Sequence, residues 1–454
     1  MVINKNTLIR VLALSACSST LLVCLVAQAA GDRREVKEPE PVQPVCATLY
    51  PEVGQDSITT QRDIQQALNR CPAGQAVQLS KGPSGSTFTS GPLQIPSGVF
   101  LRLDQGTVLA ADPNPEYYDT GRGRCGTIDK EGKGCRPFIQ IKNSQGGGIQ
   151  GQGMIDGRGG DTMKGQAETW WAMARRAQSI PGGKQNAPRL VQIDHASDII
   201  IHGIRLHNSP NFHIVLNHVK GGTIWGIVID TPASARNTDG IDPGASQDIT
   251  IAQSFIRTGD DNIAIKAGSG PTEHISITDN HFYSGHGMSI GSEVNAGVRD
   301  VVVHNLTLDG TTSGLRIKSD VSRGGIVRDI KYTHICMRNN RWPISFDTRY
   351  APKAVGDSVP EYRNIVLNDV HSTNSVTGTV LLRGYDSSHP VDVVMDGVTF
   401  SPDITWRTEF LHLTVGKKGL WPAPPGTAGF PMAKPLQADC SGKWVPFPER
   451  DKTR

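Results

Sequence analysis

Four short polar motifs follow one another in the middle of this 454-residue chain. They are Asn237-Thr238-Asp239-Gly240-Ile241-Asp242, Gly259-Asp260-Asp261-Asn262, Gly285-His286-Gly287 and Arg316-Ile317-Lys318. Starting from Asp239, the steps to the ionisable residue of each following motif are 21, 26 and 30 residues. The motifs therefore offer three kinds of functional group at similar intervals: carboxylates, an imidazole and a pair of fixed cations.

The carboxylates suit glycoside hydrolysis. That reaction needs one carboxylic acid to protonate the leaving oxygen and a second carboxylate to activate water or attack the sugar. Like charges close together raise the pKa of one member, which keeps it protonated. Asp260 and Asp261 would face opposite ways on a regular strand. Gly259 permits a bend that lets both serve one site, and His286 could tune the acid or bind substrate.

The two cations suit an acidic substrate. Arg316 and Lys318 are two residues apart, so they share one face of a strand. Arginine can form a forked pair of hydrogen bonds to a carboxylate, and lysine adds a point charge. Such a pair fits a polymer that carries a carboxylate on every sugar, whereas a neutral polysaccharide would not need it.

Each motif also has a purely structural interpretation. The aspartate motifs are ordinary turn sequences, in which Asp and Asn accept local backbone hydrogen bonds. Gly285-His286-Gly287 alone is typical of a surface turn, and Arg316-Ile317-Lys318 alone is typical of a solvated strand. Their succession at related intervals is what favours a functional site.

Short strand-forming runs also recur at a nearly fixed distance. Ile249-Thr250-Ile251, Ile275-Ser276-Ile277 and Val301-Val302-Val303 are each 26 residues apart. A second series begins at Ile263, Met288, Leu315 and Ile344, with steps of 25, 27 and 29 residues. Two strand series with one period near 26 residues are typical of a solenoid whose coils each carry several strands.

We therefore predict an all-β fold, a single-domain right-handed parallel β-helix with a short N-terminal capping helix. No long helical pattern separates the runs, which disfavours βαβ and leucine-rich repeat folds. An antiparallel sandwich is the alternative, although its strands rarely keep so fixed a long period. In a β-helix, steps near one coil length would place the four motifs on adjacent rungs along one wall.

The chain divides into four predicted segments. These are a signal peptide at residues 1–29, a flexible leader at 30–45, the β-helix catalytic domain at 46–414 and a proline-rich extension at 415–454. Residues 59–71 carry Ile64 and Leu68 at helical spacing and predict the capping helix. Residues 170–176 predict one more short helical piece.

The N-terminal residues indicate export. Lys5 and Arg10, an apolar stretch and Ala27-Gln28-Ala29 are typical of a secretory signal peptide. A membrane anchor is disfavoured because Ser and Thr interrupt the apolar run, and lipoprotein processing at Cys17 because that run continues beyond it. Without the signal the formal charge is 3 − 2 = +1, too small to indicate a nucleic acid or membrane partner. We expect an extracellular protein.

Export places the remaining six cysteines in an oxidising compartment. The expected disulfides are Cys125 with Cys135, which flank a loop rich in glycine and charge, and Cys46 with Cys71, which bracket the predicted helix. Cys336 and Cys440 could pair or stay free. The spacings resemble neither zinc-binding nor redox motifs.

In its motifs the chain resembles a known family, the polygalacturonases of glycoside hydrolase family 28. The resemblance rests on the four motifs and extends to Ser209-Pro210-Asn211-Phe212-His213, Ala235 to Pro243, Gly287 to Ser292 and Gly314 to Asp320. It covers about residues 46–406 and indicates the secreted bacterial endo-acting members. The resemblance implies a right-handed parallel β-helix and an inverting hydrolysis of α-1,4-galacturonosidic bonds in polygalacturonate.

The resemblance also implies roles for single residues. Asp260 would be the general acid, Asp239 and Asp261 would hold and activate the water, and His286 would support the acid. Arg316 and Lys318 would bind the substrate carboxylate. Tyr350 is the nearest match to a substrate-contacting tyrosine of the family. No metal or cofactor is implied, and we expect a monomer whose partner is pectic polysaccharide.

Three other functions compete with this interpretation. A pectate lyase on a similar β-helix would use calcium and leave an unsaturated product. A carbohydrate-binding solenoid would have no activity. A hydrolase of rhamnogalacturonan or xylogalacturonan would share the acids, but the Gly-His-Gly and Arg-x-Lys motifs favour plain galacturonan by resemblance. The motifs do not decide between endo and exo cleavage, and the lack of an extra N-terminal domain favours endo.

Overall fold

The computed structural model describes residues 29–375, 378–426, 431 and 440–449, so the predicted signal peptide lies almost entirely outside it. The described residues form two compact units. The N-terminal unit is Arg34–Ala264 with residues 448–449, and the C-terminal unit is Ile265–Phe447 with residues 29–33. Within the described part, the helices are all too short or too polar to cross a membrane.

The helices described in the N-terminal unit are α1 (Ser57–Arg70), α2 (Pro115–Tyr118) and α3 (Trp170–Gln178). Its strands are β1 (Val45–Leu49), β2 (Ala76–Leu79), β3 (Thr87–Ser90), β4 (Leu93–Ile95), β5 (Phe100–Leu103), β6 (Val108–Ala111), β7 (Ile128–Asp129), β8 (Ile139–Lys142), β9 (Gly148–Gly151), β10 (Met154–Asp156), β11 (Lys184–Gln185), β12 (Val191–His202), β13 (Arg205–His207), β14 (Ile214–Trp225), β15 (Val228–Asp230), β16 (Ile241–Gly244), β17 (Gln247–Ala252) and β18 (Phe255–Arg257). Along the chain, β19 (Ile263–Ile265) contains the residues where one unit ends and the next begins.

The strands of the C-terminal unit are β20 (Thr272–Phe282), β21 (Met288–Gly291), β22 (Val298–Asp309), β23 (Ser313–Lys318), β24 (Ile326–Arg338), β25 (Trp342–Asp347), β26 (Glu361–Thr373), β27 (Thr379–Arg383), β28 (Val391–Thr399), β29 (Thr405–Glu409), β30 (Leu411–Val415) and β31 (Leu420–Trp421).

Three columns of parallel strands build the N-terminal unit. One column runs through β1, β2, β5 and β9 to the second halves of β12 and β14 and to β17. Another contains β3, β6, β10, β13, β15 and β18. The third contains β4, β8, the first halves of β12 and β14, and β16. Each coil of the chain therefore contributes one rung to each column.

Buried aliphatic side chains stack from rung to rung inside this unit. Ile141, Ile193 and Leu216 pair in register on β8, β12 and β14, and all three are buried. Burying a side chain of this kind stabilises the fold by about 1.5–3 kcal/mol relative to leaving it exposed. Repeating the same row over successive coils is what holds a solenoid together.

The predicted helices are present with shifted ends. α1 begins two residues before the predicted start, because Asp56 is the N-cap and accepts hydrogen bonds from the backbone N–H of Ile58 and Thr59 at 3.0 Å each. The helix buries Ile64 and Leu68 and packs against β3 and β4. α3 begins at the predicted residue and continues two residues further.

Two columns of parallel strands build the C-terminal unit. The long strands β20, β22, β24, β26 and β28 form one, and β21, β23, β25, β27 and β29 form the other. Met288, Leu315 and Ile344 pair in register and are buried. The predicted steps of 27 and 29 residues between them are therefore one coil each. The parallel β-helix is confirmed in both units, and the antiparallel sandwich is excluded.

Asparagine and aspartate residues bend the long strands of the C-terminal unit. Asp300, Asp329 and Asn364 have φ values of 55°, 57° and 50° and occupy equivalent positions in β22, β24 and β26. Asn and Asp enter this left-handed region more readily than other non-glycine residues. Asn364 also donates from Nδ2 to Oδ1 of Asp329 at 2.7 Å, which links the bends of neighbouring coils.

The leader and the tail make contacts that composition does not indicate. In the C-terminal unit, Asp300 Oδ1 accepts from the backbone N–H of Ala30 at 2.6 Å. In the N-terminal unit, the backbone N–H of Val42 donates to Gln150 Oε1 at 2.9 Å. Strand β31, beyond the predicted boundary at residue 415, pairs with β28. Backbone hydrogen bonds of this kind depend on neighbouring coils and leave no local sequence signal.

Both expected disulfides are present in the N-terminal unit, Cys46–Cys71 and Cys125–Cys135. The pairing that the sequence left open is formed as well, since Cys336 is bonded to Cys440 across a separation of 104 residues. The last disulfide ties the tail segment to β24 within the C-terminal unit.

Candidate active site

The aspartate motifs of the N-terminal unit lie on neighbouring rungs. The first motif leads into β16 and the second into β19. The backbone N–H of Gly240 donates to the carbonyl of Asp261 at 2.9 Å, and that of Ile241 to the carbonyl of Asn262 at 3.2 Å. The 21-residue step from Asp239 to Asp260 is therefore one coil, as the sequence predicted.

Close backbone packing fixes the second aspartate motif. Thr238 Oγ1 donates to the carbonyl of Ala235 at 2.7 Å and accepts from the backbone N–H of Gly259 at 3.0 Å. A Cβ atom at Gly259 would lie 1.9 Å from the carbonyl oxygen of Ala235. Glycine is needed at position 259 because the backbone of Ala235 approaches it closely. The sequence had instead indicated that this glycine permits a bend of the backbone. The turn that carries Asp260 and Asp261 is thus held rigidly on the rung before it.

Asp260 is the half-buried member of the three aspartates, while Asp239 and Asp261 are 4% and 1% exposed. Its Oδ1 accepts from the backbone N–H of Asp261 at 2.9 Å, and its Oδ2 accepts from Asn237 Nδ2 at 3.4 Å. Gln185 Nε2 donates in turn to Asn237 Oδ1 at 3.0 Å. One carboxylate can thus meet a substrate while two lie behind it, which is the asymmetry that acid–base chemistry requires.

A buried histidine contacts the backbone of the first motif. His213 is fully buried, with Nδ1 3.1 Å from the carbonyl of Asp239 and Nε2 2.7 Å from Thr231 Oγ1. Burial lowers the pKa of His213 to about 4. The ring is therefore neutral near pH 7, donating from Nδ1 and accepting from the threonine hydroxyl at Nε2. Its function is to position the peptide of Asp239.

Arg189 is a charged residue of this region that no sequence motif indicated. Burial lowers the pKa of its guanidinium, and the negative charges of Asp242, Asp194 and Asp239 offset only part of that effect. The guanidinium lies 5.5 Å from the centre of the Phe212 ring. Arg189 therefore places a positive charge within electrostatic range of the buried aspartates.

His286 and the basic pair belong to the C-terminal unit. A Cβ atom at Gly287 would lie 2.1 Å from the carbonyl oxygen of Ser313, so the turn after His286 presses directly on β23. Arg316 and Lys318 point to the same side of β23, and Ile317 between them is buried in the core. The turn and the strand therefore hold the imidazole and the two cations on adjacent rungs.

Tyr350 lies beside both cations. It follows β25, and its backbone N–H donates to the carbonyl of Ser319 at 2.9 Å. The ring centre is 5.3 Å from Cζ of Arg316 and 5.5 Å from Nζ of Lys318. Tyr350 is 40% exposed and Lys318 only 8%. The ring edge and hydroxyl can therefore contact a ligand that the cations attract.

His286, Arg316, Lys318 and Tyr350 line one pocket of about 510 Å³ in the C-terminal unit. The structure thus brings together the four residues that the sequence assigned to substrate binding and support of the acid. Glu293 is a neighbour that sequence reasoning missed. Burial would raise its pKa, but Lys266, Arg323 and Lys318 outweigh that effect and hold the pKa below its usual value.

The chain is similar to known proteins over most of its length. Residues 75–412 match the profile of Glycosyl hydrolases family 28. An endo-polygalacturonase of Pectobacterium parmentieri is 45% identical over 386 residues, which are 85% of this chain and 93% of that protein. A polygalacturonase of Ralstonia solanacearum is 42% identical over 381 residues, covering 74% of this chain and 72% of that protein.

Solved structures agree with the sequence matches. The polygalacturonase from Erwinia carotovora ssp. carotovora has a TM-score of 0.80 at 44% identity and covers 84% of this chain and 99% of its own. An exopolygalacturonase from Thermotoga maritima, at 22% identity and a TM-score of 0.68, shares the fold. These neighbours are right-handed β-helices, as the sequence predicted for this protein. The chain belongs to Glycosyl hydrolases family 28.

Proposed function

We propose that this protein is an endo-polygalacturonase, which hydrolyses α-1,4-galacturonosidic bonds within polygalacturonate. The observation that carries the proposal is the pocket of the C-terminal unit, where Arg316, Lys318 and Tyr350 converge. Two adjacent cations beside an aromatic ring match a sugar that carries a carboxylate. The identities of 45% and 42% to enzymes with this named activity support the same substrate.

The three aspartates divide the chemistry in this proposal. Asp260 donates a proton to the glycosidic oxygen as the bond from that oxygen to the anomeric carbon breaks. Asp239 and Asp261 hold a water molecule and take up its proton as it attacks the anomeric carbon from the opposite face. His286 has the role of supporting the acid in this proposal. The product configuration is inverted.

The basic residues bind and orient the substrate. Arg316 and Lys318 hold the carboxylate of one galacturonate unit, and Tyr350 contacts its ring. Lys318 is nearly buried and therefore partly desolvated, which strengthens its attraction for a carboxylate relative to an exposed lysine. Orientation by these groups places the scissile bond correctly and lowers the entropic cost of reaction.

A calcium-dependent lyase is the main alternative activity that experiments must distinguish from hydrolysis. Carboxylates such as Asp239 and Asp261 are also the oxygen ligands that Ca²⁺ prefers. A hydrolase should release reducing ends without the ultraviolet absorbance of an unsaturated product, and a chelator should not inhibit it. The presence of Arg316 and Lys318 beside Tyr350 supports binding of the substrate carboxylate by the protein itself.

We infer that the protein acts outside the cell. Three disulfides are present in the described residues, which is typical of exported proteins. The signal-like composition of residues 1–29 and the large size of the polymer substrate support the same location.

Endo cleavage predicts a specific time course on polygalacturonate. Cutting within the chain halves the length of long molecules early, so viscosity should fall steeply while few reducing ends have appeared. The measurement is parallel viscometry and reducing-end assay on one reaction. An exo-acting enzyme would release many reducing ends before the viscosity changed, and that result would contradict endo action.

A further inference from the structure

The pocket of the C-terminal unit extends beyond the predicted basic pair along one row of side chains. Arg316 pairs in register with Ser345, Ser345 with Leu381, and Leu381 with Arg407. Paired residues of parallel strands point the same way, so this row lies on one face of β23, β25, β27 and β29. Three rungs of about 4.8 Å separate the Arg316 and Arg407 backbones by about 14 Å.

Charged side chains beside this row form ion pairs with one another. Arg383 donates to both carboxylate oxygens of Asp347, at 2.8 and 2.7 Å. Arg349 forms an ion pair with Glu409 at 3.2 Å. The acidic side chains on this part of the pocket wall are therefore neutralised, which removes the repulsion that they would exert on a polyanion.

Arg407 differs from these arginines. Its side chain is exposed and forms no ion pair or hydrogen bond with any other residue in the described part of the chain. It nevertheless lines the same pocket as Arg316, Lys318 and Tyr350. A solvent-exposed guanidinium beside neutralised acidic residues can bind a carboxylate without first breaking an internal ion pair.

We propose that Arg407 binds a second carboxylate of the same polymer, several sugar units away from the one held by Arg316 and Lys318. This inference rests on the proposed function, because a polymer with a carboxylate on each sugar is what would span the two positions. The contact makes affinity depend on substrate length. An exposed guanidinium contributes modestly, because solvent screens its charge.

The test compares wild type with Arg407→Gln and Arg407→Glu on long polygalacturonate and on the shortest oligogalacturonate that wild type cleaves. On the long polymer, KM should rise about three- to tenfold for Arg407→Gln and further for Arg407→Glu, with kcat within about twofold. On the shortest oligomer, KM should match that of wild type. Added salt should reduce the difference in KM between wild type and the Arg407 variants on the polymer.

Arg70→Gln is the matched control, since Arg70 is exposed in the last turn of α1 and should leave KM unchanged on both substrates. Unchanged thermal unfolding of the Arg407 variants would show that the fold is intact. An unchanged KM on the long polymer would overturn the inference. So would an equal rise on both substrates. A wild-type protein that cleaves neither substrate would instead refute the proposed function and this inference with it.

Discussion

Replacing Asp260 by asparagine is expected to lower kcat on polygalacturonate by about 10³-fold while the polymer still binds. An amide cannot give a proton to the leaving oxygen. The local structure should persist, because the amide oxygen of asparagine can still accept from the backbone N–H of Asp261, as Oδ1 of Asp260 does at 2.9 Å. Steady-state kinetics and titration calorimetry with oligogalacturonate measure the two effects separately.

Asp403→Asn is the control for this variant, because Asp403 lies exposed in the turn before β29 and has no assigned role. Its kcat should equal that of wild type. A kcat for Asp260→Asn within tenfold of wild type would mean that another group protonates the leaving oxygen. Loss of binding together with activity would indicate a disturbed site rather than a missing proton donor.

Neutralising the basic pair should produce the second large effect. Arg316→Gln and Lys318→Gln are each expected to lower kcat/KM on polygalacturonate by about 10²-fold, because each removes a charge that binds the substrate carboxylate. The loss should be much smaller on a methyl-esterified polymer, which lacks that carboxylate charge. The two substrates together distinguish loss of carboxylate binding from general damage.

Two further variants complete this comparison. Lys318→Arg keeps the positive charge beside Tyr350 and should lose less activity than Lys318→Gln. Lys417→Gln, at an exposed position near the end of the described coils, should behave as wild type. An equal loss on charged and esterified polymers would contradict the assignment of Arg316 and Lys318 to carboxylate binding.

The strand periods predicted the fold because they reflect the core directly. Met288, Leu315 and Ile344 repeat at steps of one coil, since the same inward position on each rung must be filled by an apolar side chain. A regular repeat of buried residues is visible in the sequence without any knowledge of contacts. The predicted location of the aspartate motifs on neighbouring rungs followed from the same period.

The features that the sequence did not indicate all depend on contacts between coils. Arg189 and Glu293 stand in no short motif, and most of their charged neighbours lie far away along the chain. The need for glycine at 259 arises from the carbonyl of Ala235 on the preceding coil. The disulfide between Cys336 and Cys440 joins positions 104 residues apart. Spacing in the sequence does not show whether two such cysteines lie close enough to be bonded. Arg407 is linked to Arg316 by the register of their strands and by the pocket that both residues line.

The helix ends show the limit of local patterns. The start of α1 was predicted at a threonine, but the capping group is Asp56, whose carboxylate satisfies two backbone N–H groups at once. Both residue types are good N-caps. Choosing between them requires the path of the chain before the helix, which spacing does not contain.

In the proposed mechanism, separate carboxyl groups deliver a proton and a water molecule to opposite sides of one glycosidic bond. Proton NMR of the first reducing ends formed from polygalacturonate tests it most directly. We expect the α-linked substrate to release a sugar whose new anomeric centre is initially β and only later equilibrates. An initial α-anomer would mean retention, and would contradict the roles assigned to Asp239, Asp260 and Asp261.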